Sequence, residues 1–540
     1  MSLVVLSFLP IFIPFTLFFG GWYLGREKTK YVAQKVSQLS FILLIIFLAT
    51  FPVSYFFTDA WQSSILIRHT ALNQIMLGLV TVMGWVLISF SRNYMAGQAN
   101  LNRYYRWLMF TLASVAITVT TNHLVIFWLG WLGISLSLNN LLTFYADRPR
   151  AILAAHKKFM LARVAELSLF AAFALLYQQY DSLYINTIID TAVAQSSAGL
   201  ALHWQEQVAA CLIALAALIK CAQLPFHGWL IQVVESPTTV SALLHAGVIN
   251  LGGYLLLLFT PVVAQSSVAI WLLLVVAGLS SLASALIMTT RISVKVRLAW
   301  STCAQMGLML LEFALGLYEL VLLHLLAHSF YKAYSFLNSG NAVNDAIRLR
   351  LSSAAKNNTQ SSPTNKAVVP NAQTWLLALG LSTAIVVIVR ILFGFDSAFS
   401  TWWLFALALT VLIVQWRTCE HSPSVVYTFA MGVFLCVIYA ALKYATHYAL
   451  PTYSTHTVQA FSLADIWAMV LFSLLFLLSA LLHYQVRWRA VRRLSIALFA
   501  GLYLDEWLTR LVLKFWPVTL PARTKQQHHE TTNNQPSLKP

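Results

Sequence analysis

Hydrophobic residues recur along this chain in long unbroken runs, as a window of about 19 residues shows. A helix that crosses a bilayer needs about 20 predominantly apolar residues, and runs of this length satisfy their backbone in lipid only as helices. The pattern therefore predicts an all-α polytopic membrane protein with about fifteen transmembrane helices. The runs lie at residues 2–24, 38–57, 70–90, 107–121, 123–145, 157–177, 207–231, 239–260, 267–289, 298–317, 319–340, 374–395, 400–416, 424–443 and 464–483.

The composition excludes an ordinary soluble protein. Hydrophobic residues make up 59% of the 540 residues and charged residues only 9%, whereas soluble domains carry about 25% charged residues. The first run, 2–24, has no basic residues before it and is too long for a signal-peptide core. We therefore expect it to be retained as the first span.

The basic residues are distributed unevenly between the two sides of the predicted bundle. Lys and Arg number 34 against 17 Asp and Glu, a formal net charge of +17. When the loops are assigned to alternate sides, one side holds only Arg68, and its longest loop carries Asp181, Asp190 and Glu206. The positive-inside rule then places the N-terminus outside and the basic loops in the cytoplasm, so nucleic-acid binding is not needed to explain the charge. The basic set comprises Arg26, Lys28, Lys30, Lys35, Arg92, Arg103, Arg106, Arg148, Arg150, Lys157, Lys158, Arg291, Lys295, Arg297, Arg348, Arg350, Lys356, Lys366, Arg417, Arg487, Arg489, Arg492 and Arg493.

Lys220 is the most informative ionisable residue within a predicted span. It lies in AALIKCAQLPFHGWL, five positions before Pro225. Proline interrupts the hydrogen-bond ladder of a helix and frees carbonyl groups that can hold water or a cation. Lys220 therefore either exchanges protons along an ion pathway or stays permanently paired with a carboxylate.

The run HLLAHSFYK places His324, His328 and Lys332 four residues apart. Residues with this spacing lie on one face of a helix, and the row covers about 12 Å of its axis. Two imidazoles beside a lysine suit a proton relay through intervening water. Metal binding through the two histidines, for which no third ligand is evident, and plain buried hydrogen bonding are the alternatives.

Other ionisable residues fall within or near the spans. Arg163 and Glu166 are three residues apart and are predicted to pair, either as a structural ion pair or to tune Lys220. His245 lies mid-span in SALLHAGVIN and is either a satisfied buried histidine or part of the pathway. Weaker candidates, whose depth depends on the span edges, are Arg390, Lys443 and Asp465; Glu312 has no recognisable setting.

We predict no metal, cofactor or enzymatic activity in this chain. The five cysteines show no CxxC pair and no zinc-ligand spacing, and in apolar runs a free cysteine behaves as a small hydrophobe. The chain also has no Gly-rich phosphate-binding loop and no nucleophile triad. Any catalysis is therefore expected in a partner.

Four segments resemble ordered motifs of the proton-translocating antiporter-like family, which includes the large membrane-arm subunits of respiratory complex I and subunits of multi-subunit sodium/proton antiporters. They are AAHKKFMLARVAELSLF (154–170), KCAQLPFHGWLIQVVESPTTVSALLHAGVIN (220–250), RLAWSTCAQMGLML (297–310) and HLLAHSFYKAYSFLNSG (324–340). The resemblance implies inverted five-helix repeats, each with a discontinuous helix, as in many transporters.

The resemblance also implies roles for individual residues. Lys220 matches the central lysine of the broken helix and His245 the histidine of the next helix; His324, His328 and Lys332 match the connecting relay, and Arg163 and Glu166 an Arg/acidic pair. The family's glutamate partner of the broken-helix lysine is absent, because GWLGISLSLNNLLTF has Leu132 at that position. Glu166 or a partner subunit would have to replace this carboxylate.

The C-terminal part resembles a narrower group. In complex I a motif like GLYLDEWLTRLVLKF (501–515) continues into a long lateral helix, which this chain is expected to lack. Members without that helix resemble the membrane subunit of a two-component bacterial system for inorganic carbon accumulation. Its soluble partner is a zinc protein that resembles β-carbonic anhydrase, and cation influx is thought to drive CO2 hydration there.

The resemblance thus predicts an ion-translocating subunit in the bacterial cytoplasmic membrane. The alternatives are a subunit of a cation/proton antiporter or complex I-like respiratory complex, and, because of Leu132, a membrane scaffold that does not conduct. The predicted organisation is N-terminal spans at 1–64, an ion-translocation core at 65–345, a cytoplasmic linker at 346–373, C-terminal spans at 374–483, an amphipathic or additional membrane helix at 484–515 and a disordered tail at 516–540.

Overall fold

In the computed structural model, each apolar run predicted from the sequence coincides with one or more α-helices. The structure describes residues 9–24, 31–56, 66–145, 148–359, 372–393, 399–417, 425–447, 450, 462–483 and 488–517. Among these residues, nine helices are long and apolar enough to cross a membrane, and extended structure is limited to two isolated bridges. The prediction of an all-α polytopic membrane protein is confirmed.

The helices are numbered here in chain order. The first twelve are α1 (Leu9–Leu24), α2 (Val32–Phe56), α3 (Ala71–Tyr94), α4 (Leu101–Thr120), α5 (Leu124–Leu142), α6 (Pro149–Tyr180), α7 (Ile185–Ser197), α8 (Trp204–Lys220), α9 (Gly228–Gln232), α10 (Thr238–Ala246), α11 (Leu251–Leu258) and α12 (Thr260–Val263). The others are α13 (Ser267–Thr289), α14 (Val294–Ala314), α15 (Tyr318–Leu337), α16 (Ala342–Thr359), α17 (Ala372–Phe393), α18 (Phe399–Arg417), α19 (Val425–His447), α20 (Leu463–His483), α21 (Arg489–Phe499) and α22 (Leu504–Phe515).

The connections between helices gather on two faces of the bundle. On one face, which we call the basic face, Arg148 donates to the carbonyl oxygen of Glu235 at 2.9 Å, and Lys295 donates to Thr238 Oγ1 at 2.8 Å. These bonds tie together the α5–α6, α9–α10 and α13–α14 connections. On the opposite face, the two isolated bridges join the α2–α3, α4–α5 and α6–α7 connections.

The helix that contains Lys220 is broken, as the sequence predicts. Helix α8 ends at Lys220 and α9 begins at Gly228, so residues 221–227 interrupt the ladder before Pro225 and after it. Side chains from α13 and α14 satisfy the freed backbone groups: Ser280 Oγ accepts from the amide of Leu224 at 2.9 Å, and Cys303 Sγ donates to the carbonyl of Ala222 at 2.8 Å. The break is therefore held by specific hydrogen bonds to its neighbours.

A second interruption follows directly. Helices α10 and α11 are separated by Gly247 and a 3-10 turn at Val248–Asn250. A Cβ atom on Gly247 would lie 2.9 Å from the carbonyl oxygen of Leu243, closer than real Cβ contacts, so the close approach favours glycine. The inverted-repeat relation between the two halves of the fold stays a prediction.

The predicted linker at 346–373 is helical in its first part. Helix α16 runs through Ala342–Thr359, so the helical region extends into the Ser- and Asn-rich stretch although the alternation in IRLRL is not a helical pattern. Residues 360–371 of that linker lie outside the described residues, as do residues 2–8 of the first predicted span and residues 518–540 of the predicted tail.

The amphipathic segment at 484–515 forms two helices, α21 and α22, joined by a 3-10 turn at Gly501–Tyr503. Leu498, Leu508 and Val512 are buried against the bundle. Of the two arrangements that the sequence allowed, interfacial or packed on the bundle, the described part of this segment is packed, and it lies on the basic face.

Glu206 offers a test of the packing on the face opposite the basic face. This carboxylate is 1% exposed, accepts a hydrogen bond from the amide of His203 at 2.7 Å and accepts another from the hydroxyl of Tyr180. It thus joins the end of α6 to the start of α8. We expect Glu206→Ala to lower the free energy of unfolding by about 1–3 kcal/mol, because two partly buried hydrogen bonds lose their buried acceptor.

The measurement is thermal unfolding of the purified chain in detergent, with Asp190→Asn as the control. Asp190 is an exposed acid on the neighbouring helix α7, where a substitution changes stability by less than about 0.5 kcal/mol. Equal melting temperatures for the two variants would contradict the joining role of Glu206.

Candidate functional site

Lys220 lies beside a small internal cavity. The cavity, about 30 Å³ in volume, is lined by α5, α6, α8, α9 and Val248, and it has room for about two water molecules. The Lys220 ammonium lies 4.2 Å from the centroid of the Trp131 ring, a distance at which the ring face attracts a cation. Lys158, Glu166 and Ser135 line the same cavity.

The polar wall of this cavity is built on α6. Arg163 Nη2 lies 2.8 Å from Glu166 Oε2 and donates to Ser135 Oγ at 3.0 Å, so the predicted Arg163–Glu166 pair is present. Lys158 Nζ donates to the carbonyl oxygen of Ser135 at 2.7 Å. Together with Lys220, these residues form the Lys220 cluster: three cationic side chains around one carboxylate.

Lys158 corrects the sequence analysis, which assigned it and Lys157 to a basic loop. Helix α6 begins at Pro149 rather than near residue 157, and both lysine side chains are buried. Lys158 precedes Glu166 by eight residues, a spacing that puts the two on one helix face. That spacing could have predicted that Lys158 lies beside Glu166. It was overlooked because the start of the helix was predicted too late in the chain.

Leu132 does not line the cavity; its neighbour Trp131 does. The ring of Trp131 therefore forms the wall of the cavity beside Lys220. The family's motif would predict a carboxylate close to this position. Glu166, 3% exposed and in the same cavity, is the carboxylate that the described residues provide there. That Glu166 substitutes for the family's glutamate stays a prediction.

A second group of titratable side chains surrounds Lys332. Lys332 is fully buried and donates to Ser301 Oγ at 2.8 Å and to the carbonyl oxygen of Leu298 at 3.1 Å. His328, one turn earlier on α15, is 4% exposed, and neither ring nitrogen has a hydrogen-bond partner among the described residues. Such buried polar atoms are usually satisfied by ordered water, which a relay requires.

His245 faces this group from α10. Its Nδ1 lies 3.0 Å from Thr302 Oγ1, and its ring stacks on Phe336 with centroids 4.2 Å apart. It is fully buried. The structure thus brings His245 together with the predicted row of α15, across the packed contact between α10 and α15.

The outer end of the row has a partner that sequence analysis missed. His324 Nδ1 lies 2.9 Å from Glu312 Oε2, and the rings of His324 and His328 have centroids 6.2 Å apart. Glu312, at the end of α14, is 5% exposed. No spacing rule connects residues 312 and 324 across a helix–helix turn, so only the folded chain reveals the pair. Glu312, His324, His328, Lys332 and His245 form the Lys332 cluster.

The interruption between α10 and α11 separates the two clusters. Val248 lines the cavity of the Lys220 cluster. Two residues further, Asn250 Nδ2 donates to Ser329 Oγ on α15 at 2.6 Å, and its buried Oδ1 has no partner among the described residues. The 3-10 turn at Val248–Asn250 therefore contacts the Lys220 cavity through Val248 and helix α15 through Asn250.

The weaker candidates lie elsewhere. Arg390 lies over the ring of Phe399 at 5.7 Å from its centroid, and Lys443 is half-buried on α19. Asp465 accepts hydrogen bonds from the backbone amides of Phe399 and Ser400 at 3.0 and 2.7 Å, which places it as a cap at the start of α18. The structure brings none of the three into the Lys220 or Lys332 cluster.

With this geometry established, comparison with known proteins defines the class. The model of the NADH:quinone oxidoreductase/Mrp antiporter transmembrane family matches residues 121–414, more than half of the 540 residues. The chain belongs to this family of membrane proteins, as its motifs indicated.

Within the family, the similarity is high to inorganic carbon transporter subunits. The chain is 42% identical over 516 residues to the probable inorganic carbon transporter subunit DabB of Hydrogenovibrio crunogenus, covering 95% of both chains. It is 35% identical to the probable subunit DabB2 of Halothiobacillus neapolitanus, over 84% of this chain and 80% of that one. The NADH-quinone oxidoreductase subunit L of Rhodobacter capsulatus is 30% identical over 60% of this chain and 48% of its own length. The resemblance to DabB is confirmed.

Solved structures support the fold. A chain of the Mrp complex from Dietzia sp. superposes with a TM-score of 0.53 at 18% identity, covering 95% of this chain and 56% of that chain. At this level of identity the likeness shows a shared architecture alone. The ion-translocation roles of individual residues stay predictions.

A substitution of Asp465 tests whether this residue caps α18 or belongs to the ion pathway. Asp465→Ala removes the acceptor for two amides at the start of α18, so we expect a loss of about 0.5–2 kcal/mol in stability. Because Asp465 lies in neither cluster, ion flux per folded molecule is expected to match wild type. Flux in proteoliposomes, normalised to protein that survives gel filtration, measures this; a specific loss of flux would return Asp465 to the pathway.

Proposed function

We propose that this multi-pass chain is the ion-translocating membrane subunit of an inorganic carbon accumulation complex. In this proposal, influx of H+ or Na+ drives hydration of CO2 to bicarbonate by a DabA-like partner, a zinc protein that resembles carbonic anhydrase. The observation that carries it is the pair of buried titratable clusters, joined by the Val248–Asn250 turn that contacts both the Lys220 cavity and α15, in a chain similar to DabB over nearly its whole length.

Buried charges on this scale favour a pathway over a purely structural role. A charged side chain at the bilayer centre costs about 2.5–3.5 kcal/mol on insertion scales, and such residues mark ion pathways. Here Lys158, Glu166 and Lys332 are each at most 6% exposed. An apolar packing of similar volume would stabilise the bundle as well, so stability alone does not account for them.

The driving force suits the proposed reaction. One elementary charge that crosses 100 mV releases about 2.3 kcal/mol, equivalent to about a fiftyfold concentration ratio. Coupled to CO2 hydration, this would make bicarbonate formation one-way. The zinc and the chemistry would belong to the partner, and the absence of a cofactor in this chain stays a prediction.

Localisation follows from the same proposal. The protein would lie in the bacterial cytoplasmic membrane with its basic face in the cytoplasm and its N-terminus outside, according to the positive-inside rule. The basic face would then meet the soluble partner. This places the bicarbonate product inside the cell.

A second candidate is a subunit of a cation/proton antiporter or a complex I-like respiratory complex, which the family match over residues 121–414 favours. A non-conducting scaffold is the third, motivated by Leu132. Co-purification discriminates between the first two: a zinc-containing soluble partner supports carbon accumulation, whereas quinone-linked or antiporter subunits support the second candidate.

Lys220→Ala tests conduction. If the ion passes the Lys220 cluster, accumulation of labelled inorganic carbon in cells that carry the complex should fall by at least about tenfold, in line with the loss of a positioned proton-transfer group. Lys514→Ala is the matched control, because Lys514 is exposed at the end of α22, and it should retain wild-type uptake. Unchanged uptake in Lys220→Ala, with normal assembly, would favour the scaffold.

Glu166→Gln tests whether Glu166 is the functional carboxylate of the cavity. The amide keeps the shape and one acceptor but cannot hold a proton or a full negative charge, so inorganic carbon accumulation should again fall by at least about tenfold. Glu166→Asp keeps the carboxylate and should retain part of the activity. Equal uptake by the Gln variant and wild type would exclude Glu166 as the substitute for the missing family glutamate.

A further inference from the structure

The C-terminal helices are fixed to the basic face at a specific corner. Arg291, which follows α13, donates to the carbonyl oxygens of Phe499 at 3.0 Å and Leu498 at 3.3 Å, at the end of α21. The next residues turn sharply through Gly501, with φ of +72°, and a Cβ atom there would lie 3.2 Å from Arg291 Nη2. This corner determines where the first turn of α22 enters the bundle.

That first turn inserts Asp505 between α6 and α9. Asp505 Oδ1 and Oδ2 accept from Lys157 Nζ at 2.9 and 3.0 Å, and Oδ2 also accepts from Gln232 Nε2 at 2.8 Å. Lys157 Nζ also donates a hydrogen bond to Thr509 Oγ1 at 2.6 Å. Helices α6 and α9 thus converge on one carboxylate of α22, which is 348 residues from Lys157 and 273 residues from Gln232 in the chain.

The fit around Asp505 is close. A Cβ atom added to Gly228 would lie 1.5 Å from Asp505 Oδ1, so any side chain at position 228 would displace the carboxylate. The Lys157 side chain is 0% exposed, whereas that of Asp505 is 31% exposed. The pair therefore has one member in the protein interior and one that reaches water on the basic face.

Residues that face this pair are close in the chain to residues of the Lys220 cluster. On α9, Trp229 lines the central cavity, whereas the preceding Gly228 and, three positions later, Gln232 contact Asp505. On α6, Lys158 faces the cavity and the adjacent Lys157 faces Asp505. Consecutive residues on both helices thus connect the two sites.

We propose that the Lys157–Asp505 pair is the terminal proton-exchange site of the ion pathway on the basic face. This inference rests on the proposed function. A proton that leaves the Lys220 cluster binds the Asp505 carboxylate, which becomes a neutral acid and releases Lys157 from its ion pair. The acid then gives the proton to water at its exposed edge, and the carboxylate pairs with Lys157 again.

The geometry favours this role over that of a purely structural ion pair. A lysine that is fully buried against a half-open carboxylate makes a costly anchor, because each buried ion loses its hydration. The corner held by Arg291, together with buried Leu508 and Val512, already attaches α22 to the bundle. The ion pair adds a titratable group with access to both the interior and water.

Asp505→Asn is the central variant, measured in membrane vesicles of both orientations that carry the full complex. The amide still accepts from Lys157 and Gln232 but cannot take up a proton. We expect proton flux per complex to fall by at least about tenfold, and the residual flux to lose its dependence on pH at the basic face while keeping its dependence on pH at the other face. Asp505→Glu should restore part of the flux.

Two further variants complete the test. Glu506→Gln changes the next residue, an exposed glutamate 3.8 Å from Arg510, and should leave flux and pH profile unchanged. Gly228→Ala displaces the carboxylate without changing any charge, so it should lower flux as Asp505→Asn does. The double variant should show no further loss, because both changes act on one interaction.

The outcomes separate this inference from the proposed function. If Asp505→Asn retains wild-type flux per complex, with or without a lower melting temperature, the pair is only a structural ion pair. That result would overturn the inference. If Lys220→Ala abolishes flux at the same time, the proposed function stands. If neither variant affects flux or bicarbonate uptake, the proposed function fails as well.

Discussion

The cost of placing charge inside an apolar bundle governs the arrangement of this protein. An uncompensated ion in a membrane interior is expensive, so each buried cation must find a carboxylate, a carbonyl or an aromatic face. Lys220 finds the ring of Trp131, Lys158 the carbonyl of Ser135 and Lys332 the carbonyl of Leu298. These are neutral partners, which hold a cation without locking it into a permanent ion pair. A lysine with neutral partners can lose and regain its proton at a smaller electrostatic cost than one paired with a full negative charge.

The two helix interruptions are the local structures that make this possible. An intact helix would use its own carbonyls and would present side chains on a regular spiral. The break after Lys220 ends α8 at the cavity, and the turn at Val248–Asn250 places Val248 and Asn250 toward different clusters. Breaks of this kind are tolerated in a membrane only where neighbouring groups satisfy the backbone. Ser280 and Cys303 perform that task here.

The spans and the grouping of the candidate residues could be predicted because their signals are local. Run length predicts a membrane helix, a four-residue spacing predicts a shared face, and Pro225 predicts the break. Lys158 was missed through an error in the start of α6, although its spacing from Glu166 was informative. The partners of Glu312 and Asp505 could not be predicted from the sequence. His324 and Lys157 are brought to them by packing between separate helices. Long-range pairs have no periodicity in the sequence, so they emerge only when the crossings of the helices are known.

The positions of the carboxylates suggest how the ion path is divided. Within the described residues, the Lys220 cluster contains Glu166, the Lys332 cluster contains Glu312, and the basic face contributes Asp505. Each group therefore combines one carboxylate with one or more basic side chains. Like charges in one cavity disfavour each other's charged form, so the three cations around Glu166 cannot all remain charged without cost. A proton or cation that enters such a cluster therefore favours the release of another proton or cation. A carboxylate at the edge of the cluster can bind the released ion. In the proposed pathway, Glu166 on α6 would take the role that the resemblance assigns to a glutamate at the position of Leu132 on α5, and α6 also carries Lys157, the partner of Asp505 at the proposed exit.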